Sequence, residues 1–155
     1  MLISCRGHAE RLGRKIEHED IFPSDWHSPA SYDPPRYAIF ISKKMIAADI
    51  IRDSKTFVVN FMNFNDRDTI IAAGKHGGEY HQKAKQIGIE LAEADHILDC
   101  PKIKNATGWL ECEVIQELDV GDHILFLAKV IHAELTDKTA KRPFHIDGEN
   151  YTTTI

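Results

Sequence analysis

The sequence predicts a mainly β, α+β fold in which antiparallel strands surround a few short helices. Strand-like segments come in runs before and after the helices, not in one-to-one alternation with them, which argues against a doubly wound parallel sheet. "TGWLECEVIQEL" and "HILFLAKVIHAEL" are separated only by "DVGD", the pattern of a long antiparallel hairpin (107–135). Strands of that length would expose open edges, and closure into a small barrel removes them.

The elements follow in order. Residues 1–14 carry no assigned element. "KIEHEDIF" (15–22) alternates partly and reads as a strand. "DWHSPASYDPP" (25–35) is a rigid corner set by its prolines. "RYAIFIS" (36–42) is a short apolar run bounded by Pro35 and Lys43, consistent with a buried strand. In "MIAADIIRDS" (45–54) apolar residues fall at 46, 47, 50 and 51, the spacing of one helix face. "KTFVVNFMNF" (55–64) is β-branched and aromatic, hence a strand. "DRDTIIAAG" (66–74) predicts a short helix ending at Gly74, and "EYHQKAKQIG" (79–88) a second one closed by Gly88. Residues 89–106 read as a loop. In the first strand of the hairpin, Leu110, Cys112 and Val114 share one face while Glu111 and Glu113 take the other. "PFHIDGENYTTTI" gives a last strand or hairpin around Asp147-Gly148.

Composition narrows the function. At 155 residues, 43% hydrophobic and 28% charged, the chain reads as one globular domain with a substantial core. A net charge of −5 with no basic run argues against a nucleic-acid partner. No window approaches the roughly 18 apolar residues of a membrane span. The opening "MLISCRGHAERLGRK" has no apolar core of a secretory signal. Cys5, Cys100 and Cys112 are odd in number and widely spaced, which suits a reduced, cytoplasmic chain without a disulfide framework. His76 and His81 are five apart, which puts them on different helix faces, and no metal site is expected. GxGxxG, P-loop, GxSxG and HExxH signatures are absent. Without a recognisable nucleophile, an enzyme of this sequence would draw its chemistry from an organic cofactor.

The ordered set "DWHSPASYDPP", "YAIFIS", "KKMIAADIIRDS", "TFVVN", "AGKHGG" and "GWLECEVIQELDVGDHILFLAKVIHAEL" resembles the flavin reductase-like family of FMN-binding split barrels. The likeness spans residues 1–155 as a single domain. It implies a Greek-key split β-barrel of about six strands, assembled as a homodimer with FMN near the dimer interface. It also implies electron transfer from NADH or NADPH through the flavin to free flavin, a ferric chelate or a protein acceptor. By the same resemblance, the segment Pro23, Ser24, Asp25, Trp26 and His27 offers backbone N–H groups and a hydroxyl to the flavin, Pro23 itself having no N–H. Ser42, Lys43 and Lys44 reach its phosphate, with the N-terminus of the following helix adding its dipole. Gly77 and Gly78 stand where the family has Ser-Gly.

Alternatives stay open at several positions. Lys43 and Lys44 read as phosphate ligands or as a solvated turn. Trp26 is a flavin contact or a packing residue of the core or the dimer interface. His123, the candidate catalytic residue, sits at the flavin rim or caps the hairpin. Cys112 reads as a small buried hydrophobe. The chain also departs from the family pattern. Asp20 and Pro23 replace an amide and a hydroxyl, Met45 and Ala47 replace an Arg and a Thr, and Glu79 replaces a basic residue. These departures favour a second reading: a flavin-binding protein or electron carrier of the same fold, without turnover. The homodimer has support in the residues themselves. Ile124, Phe126, Ala128 and Val130 on one face of strand 123–135, and Leu125, Leu127 and Ile131 on the other, are all apolar, so one face must be covered from outside the barrel.

Overall fold

The computed structural model describes residues 1–77 and 82–154. The chain opens with a hairpin of β1 (Leu2–Arg11) and β2 (Arg14–Pro23), turning at Leu12-Gly13. The sequence reading missed β1. Its first residues, Leu2, Ile3, Ser4 and Cys5, are all buried, because packed elements cover both faces there, so no alternation marks the strand. Inside the Pro-rich corner lies β3 (His27–Ser31), an edge strand paired to β4 (Arg36–Ser42). An edge position tolerates Pro29, which brings no backbone N–H.

Helix α1 (Ile46–Ser54) buries Ile46, Ala47, Ala48, Ile50 and Ile51, the face read from the sequence. Lys55 closes it in the left-handed region at φ 61°, its N–H donating to the Ile51 carbonyl. Strand β5 (Thr56–Phe61) follows, then α2 (Arg67–Lys75) and the short α3 (Lys83–Gln86). Helix α2 runs one residue past Gly74. The second predicted helix is confined to α3 among the described residues, with Gly88 at φ 74° turning the chain beyond it. The 89–106 segment, read as a loop, contains a small hairpin of β6 (Leu91–Glu93) and β7 (Pro101–Ile103). The long hairpin is β8 (Gly108–Asp119) and β9 (His123–Leu135), and the chain finishes with β10 (Phe144–Asp147) and β11 (Asn150–Thr152) around Gly148.

The main antiparallel sheet has the order β2-β1-β5-β8-β9-β4-β3. Phe22 of β2 and Ile39 and Ile41 of β4 lie near opposite ends of that order, yet share one buried cluster with Ile3, Phe57, Val59, Cys112, Ile124 and Phe126. The sheet therefore curls on itself into a split barrel, and α1 fills the interior edge of the split through the same cluster. Gly7 lets the helix lie this close, since a Cβ there would stand 2.8 Å from the Ile50 carbonyl oxygen. The connection through α1 carries the chain from β4 back between β1 and β8, the Greek-key crossing.

A second apolar layer covers the outside of β1, β2 and β5. Leu2, Ile21 and Val58 point outward into it and meet Ile70 and Ala73 of α2, Ala84 of α3, Ile97, Ile103 and Trp109. Asn60, fully buried, ties the two layers together. Its Nδ2 lies within hydrogen-bonding distance of the Leu2 carbonyl and the Ser4 hydroxyl, and its Oδ1 accepts the Ile103 N–H at 2.8 Å. Glu111 is likewise buried. It shares its face with Glu113 as read, but segment 94–103 covers it, and it accepts the N–H groups of Asp95 and His96 at 3.0 and 2.7 Å. Among the described residues no helix is long and apolar enough to cross a membrane.

Replacing Asn60 with Ala strands the Ile103 N–H and leaves a small void. The expected loss is about 2–3 kcal/mol of unfolding free energy, read from urea melts; a change under about 0.5 kcal/mol would show that the amide is dispensable.

Candidate functional site

The residues singled out from the sequence gather where β2 ends, β4 turns into α1, and the β8–β9 hairpin closes. The backbone fixes this meeting. Ser24 N–H donates to the Met1 carbonyl at 3.2 Å, and Phe40 N–H donates to the Trp26 carbonyl at 2.9 Å, so the 24–27 segment bridges from the β1–β2 hairpin to β4. Ser42 pairs with His123 in the β4–β9 register, and Lys43 N–H donates to the Asp122 carbonyl at 3.0 Å. The 42–45 turn and the hairpin turn are thus neighbours.

Trp26 is 60% exposed and stacks on His123, ring centroids 4.5 Å apart and planes 17° from parallel. His123 Nδ1 lies 2.7 Å from an Asp122 carboxylate oxygen, a contact that lowers the Asp122 pKa. This explains the Trp in the rigid corner: it forms an exposed aromatic platform with the histidine, outside the barrel core. His27 turns the other way, its Nδ1 2.7 Å from the Tyr37 hydroxyl. Burial lowers the His27 pKa and pushes Tyr37 up to about 12.

The two lysines part company. Lys43 Nζ reaches Asp119 at 2.5 Å, a pairing that lowers the Asp119 pKa. Lys44 lines a cavity of about 460 Å³ on the other side, together with Pro23, Gly74, His76, Gly77 and Lys83. Gly74 lets α2 seat against the corner, since a Cβ there would come within 3.1 Å of the Pro23 ring. At Gly77 an added Cβ would meet nothing within 4 Å, so its backbone is open on that side. Gly78 lies outside the described residues, as do Glu79 and His81.

Sequence reasoning missed Lys83. Its side chain is only 3% exposed and its Nζ lies 3.0 Å from Asp20, itself 1% exposed, at the cavity wall. Asp20, taken as a loss for an anion site, is therefore held by a cation and brings that cation to the cavity. The signal was thin: Lys83 and Lys85 share the predicted helix 79–88, and a buried lysine is not distinguishable from a solvated one by composition. Helix α1 adds a further donor group. Met45, its N-cap, makes no side-chain cap; the Ala48 N–H turns back to the Met45 carbonyl at 3.1 Å, while the N–H of Ile46, which lines the cavity, keeps its capacity for an anion.

The cluster of Asp95, His96 and Glu111 has ligand-like spacing, but Glu111 already accepts two backbone N–H groups and Lys102 pairs with Asp95. It works as an anchor for the loop. Cys5, Cys100 and Cys112 are buried, and burial pushes the Cys100 thiol up to about 12 and the other two upward as well. None is poised as a nucleophile.

Comparison with known proteins gives these positions a frame. A curated protein of Pyrococcus abyssi is 32% identical over 116 residues, covering 74% of this chain and 65% of its own length. The chain therefore spans about two thirds of that relative. An FMN-binding protein from Thermus thermophilus has a TM-score of 0.79 at 19% identity, covering 98% of this chain and 85% of its own. A flavoredoxin from Methanosarcina acetivorans has a TM-score of 0.77 at 20% identity, covering 99% and 84%. At those identities the likeness is one of fold. The flavin reductase like domain, as a family model, matches residues 1–154. The chain belongs to that family.

Proposed function

We propose that the chain binds FMN and passes electrons from NADH or NADPH through it to free flavin, a ferric chelate or a protein acceptor. The observation that carries this is the cavity between the 42–45 turn and α2, where Lys44, buried Lys83, the uncapped start of α1 and the open backbone at Gly77 converge. Cations, N–H donors and a helix N-terminus are what a phosphate group needs, and the volume falls among those of small-molecule sites, about 300–1,000 Å³. Bound FMN supplies the hydride and electron chemistry. The protein's own residues would hold the phosphate at Lys44 and Lys83 and present the Trp26–His123 platform beside the same corner. The likeness in fold to an FMN-binding protein and to a flavoredoxin supports the flavin reading. The flavoredoxin likeness also supports a second reading, in which the bound flavin carries electrons between proteins without nicotinamide turnover.

The working unit is a homodimer. Phe40 and Leu118 lie directly opposite Leu125 on neighbouring strands, so the three share the outward face of the sheet. Leu118 is 48% exposed, and Phe40 and Leu125 are half-buried in the single chain. An apolar stripe across three strands is the kind of surface a second copy covers.

Three outcomes are expected. Flavin-loaded protein oxidises NADH or NADPH under anaerobic conditions with bleaching of the flavin absorbance; flavin that stays oxidised selects the carrier reading. Lys44→Ala weakens FMN binding roughly ten- to a hundred-fold and leaves riboflavin binding unchanged, whereas Lys43→Ala, already engaged by Asp119, leaves both unchanged; equal losses for the two flavins would place Lys44 in folding. Light scattering gives twice the 17.6 kDa chain mass, and Leu125→Asp gives the monomer; a monomeric wild type would refute the dimer.

A further inference from the structure

A second cavity, about 370 Å³, lies on the other side of the 23–27 segment. Pro23 borders the first cavity, while Asp25 and His27 border this one. Phe61 and Met62 line it from the barrel; Arg142, Phe144 and His145 line it from the C-terminal hairpin. The hairpin is fastened there. His145 Nδ1 meets the Asp25 carboxylate at 2.5 Å, and Glu149 pairs with Lys75 of α2 at 2.6 Å.

The charges of the lining are unequal in availability. Asp25 is engaged by His145. Arg142 lies with its guanidinium carbon 4.8 Å from the centroid of the Phe61 ring, and no ion pair joins it to a carboxylate among the described residues. His27 Nδ1 lies 2.7 Å from the Tyr37 hydroxyl, and burial lowers the His27 pKa, so the ring carries less charge than a solvated one. The remaining lining, Met1, Phe61, Met62, Pro143 and Phe144, is apolar and partly aromatic apart from the Met1 α-amino group, whose pKa burial lowers and which therefore holds its charge less firmly than the Arg142 guanidinium.

We propose that this cavity binds a small planar organic monoanion, an aromatic carboxylate, with Arg142 as its counter-ion. A guanidinium fork matches a carboxylate edge in two parallel hydrogen bonds, while the aromatic floor takes the ring face. The volume sits at the low end of small-molecule sites, about 300–1,000 Å³, which suits a single-ring compound and not a dinucleotide. The site stands apart from the phosphate cavity, so it holds whether or not FMN occupies the latter.

The test uses the full chain without flavin, titrated with benzoate and with the neutral isostere benzamide, and followed by NMR. Benzoate is expected to give saturable shifts at Phe144, His145 and His27, and to bind roughly ten- to a hundred-fold more tightly than benzamide. Arg142→Gln removes that preference and Arg142→Lys restores part of it, with the melting temperature unchanged because the side chain is exposed. Equal binding of the two probes, no saturation, or a preference that survives in Arg142→Gln would overturn the proposal. Displacement of benzoate by riboflavin would also overturn it, by assigning the cavity to the flavin ring. Failure of FMN binding alone would leave the benzoate result standing, so the two readings fail separately.

Discussion

The ion pair between Asp20 and Lys83 joins the barrel to the layer that covers it. Both groups are almost wholly withdrawn from water, and removing one partner of such a pair typically costs about 3–5 kcal/mol because the other charge is left buried alone. The pair binds α3 to β2 at the cavity wall. It also decides the sign of the cavity. Without Lys83, the Asp20 carboxylate would repel a phosphate; with it, the pair is neutral overall and that repulsion is removed.

Much of the architecture was legible because its elements obey simple periods. Helix α1 shows its buried face in the spacing of Ile46, Ala47, Ile50 and Ile51, and β9 shows both of its faces in plain alternation. The Asp147-Gly148 turn was readable because the backbone there requires a left-handed glycine. Elements buried on both sides were not legible. Residues 2–5 of β1 are covered by the barrel core on one face and the outer layer on the other, so polar Ser4 is as buried as Ile3 and no period survives. Short β6 and β7 are anchored from outside their own hairpin, where Asn60 and Glu111 accept the N–H groups of Ile103, Asp95 and His96. Nothing in their own residues marks that dependence.

The site was legible as a set of segments and not as a set of contacts. Pro23, Trp26, Ser42 and His123 lie on three neighbouring turns, which backbone hydrogen bonds from Ser24, Phe40 and Lys43 draw together. Adjacent lysines diverge to opposite sides of one turn, and a sequence cannot say which is held by Asp119 across the hairpin. Trp26 and His123 are far apart in sequence, and their stacking follows from the β4–β9 register together with the Phe40–Trp26 backbone hydrogen bond. The 23–27 segment separates two cavities of different chemistry, one bordered by lysines and backbone donors, the other largely aromatic with the Arg142 guanidinium and the Met1 α-amino group. A rigid, proline-bounded corner suits a wall shared by two ligands, since it loses little entropy when either side fills.

The central claim is that Lys44 and Lys83 hold the phosphate of FMN. Phosphorus NMR of FMN mixed with the protein addresses it at the atom concerned. Free phosphate monoesters titrate near pH 6, whereas a phosphate gripped by two ammonium groups keeps its dianionic form to lower pH. The account predicts a separate bound resonance that holds its position between about pH 5 and 7. A single resonance that titrates like free FMN at every protein concentration would contradict it.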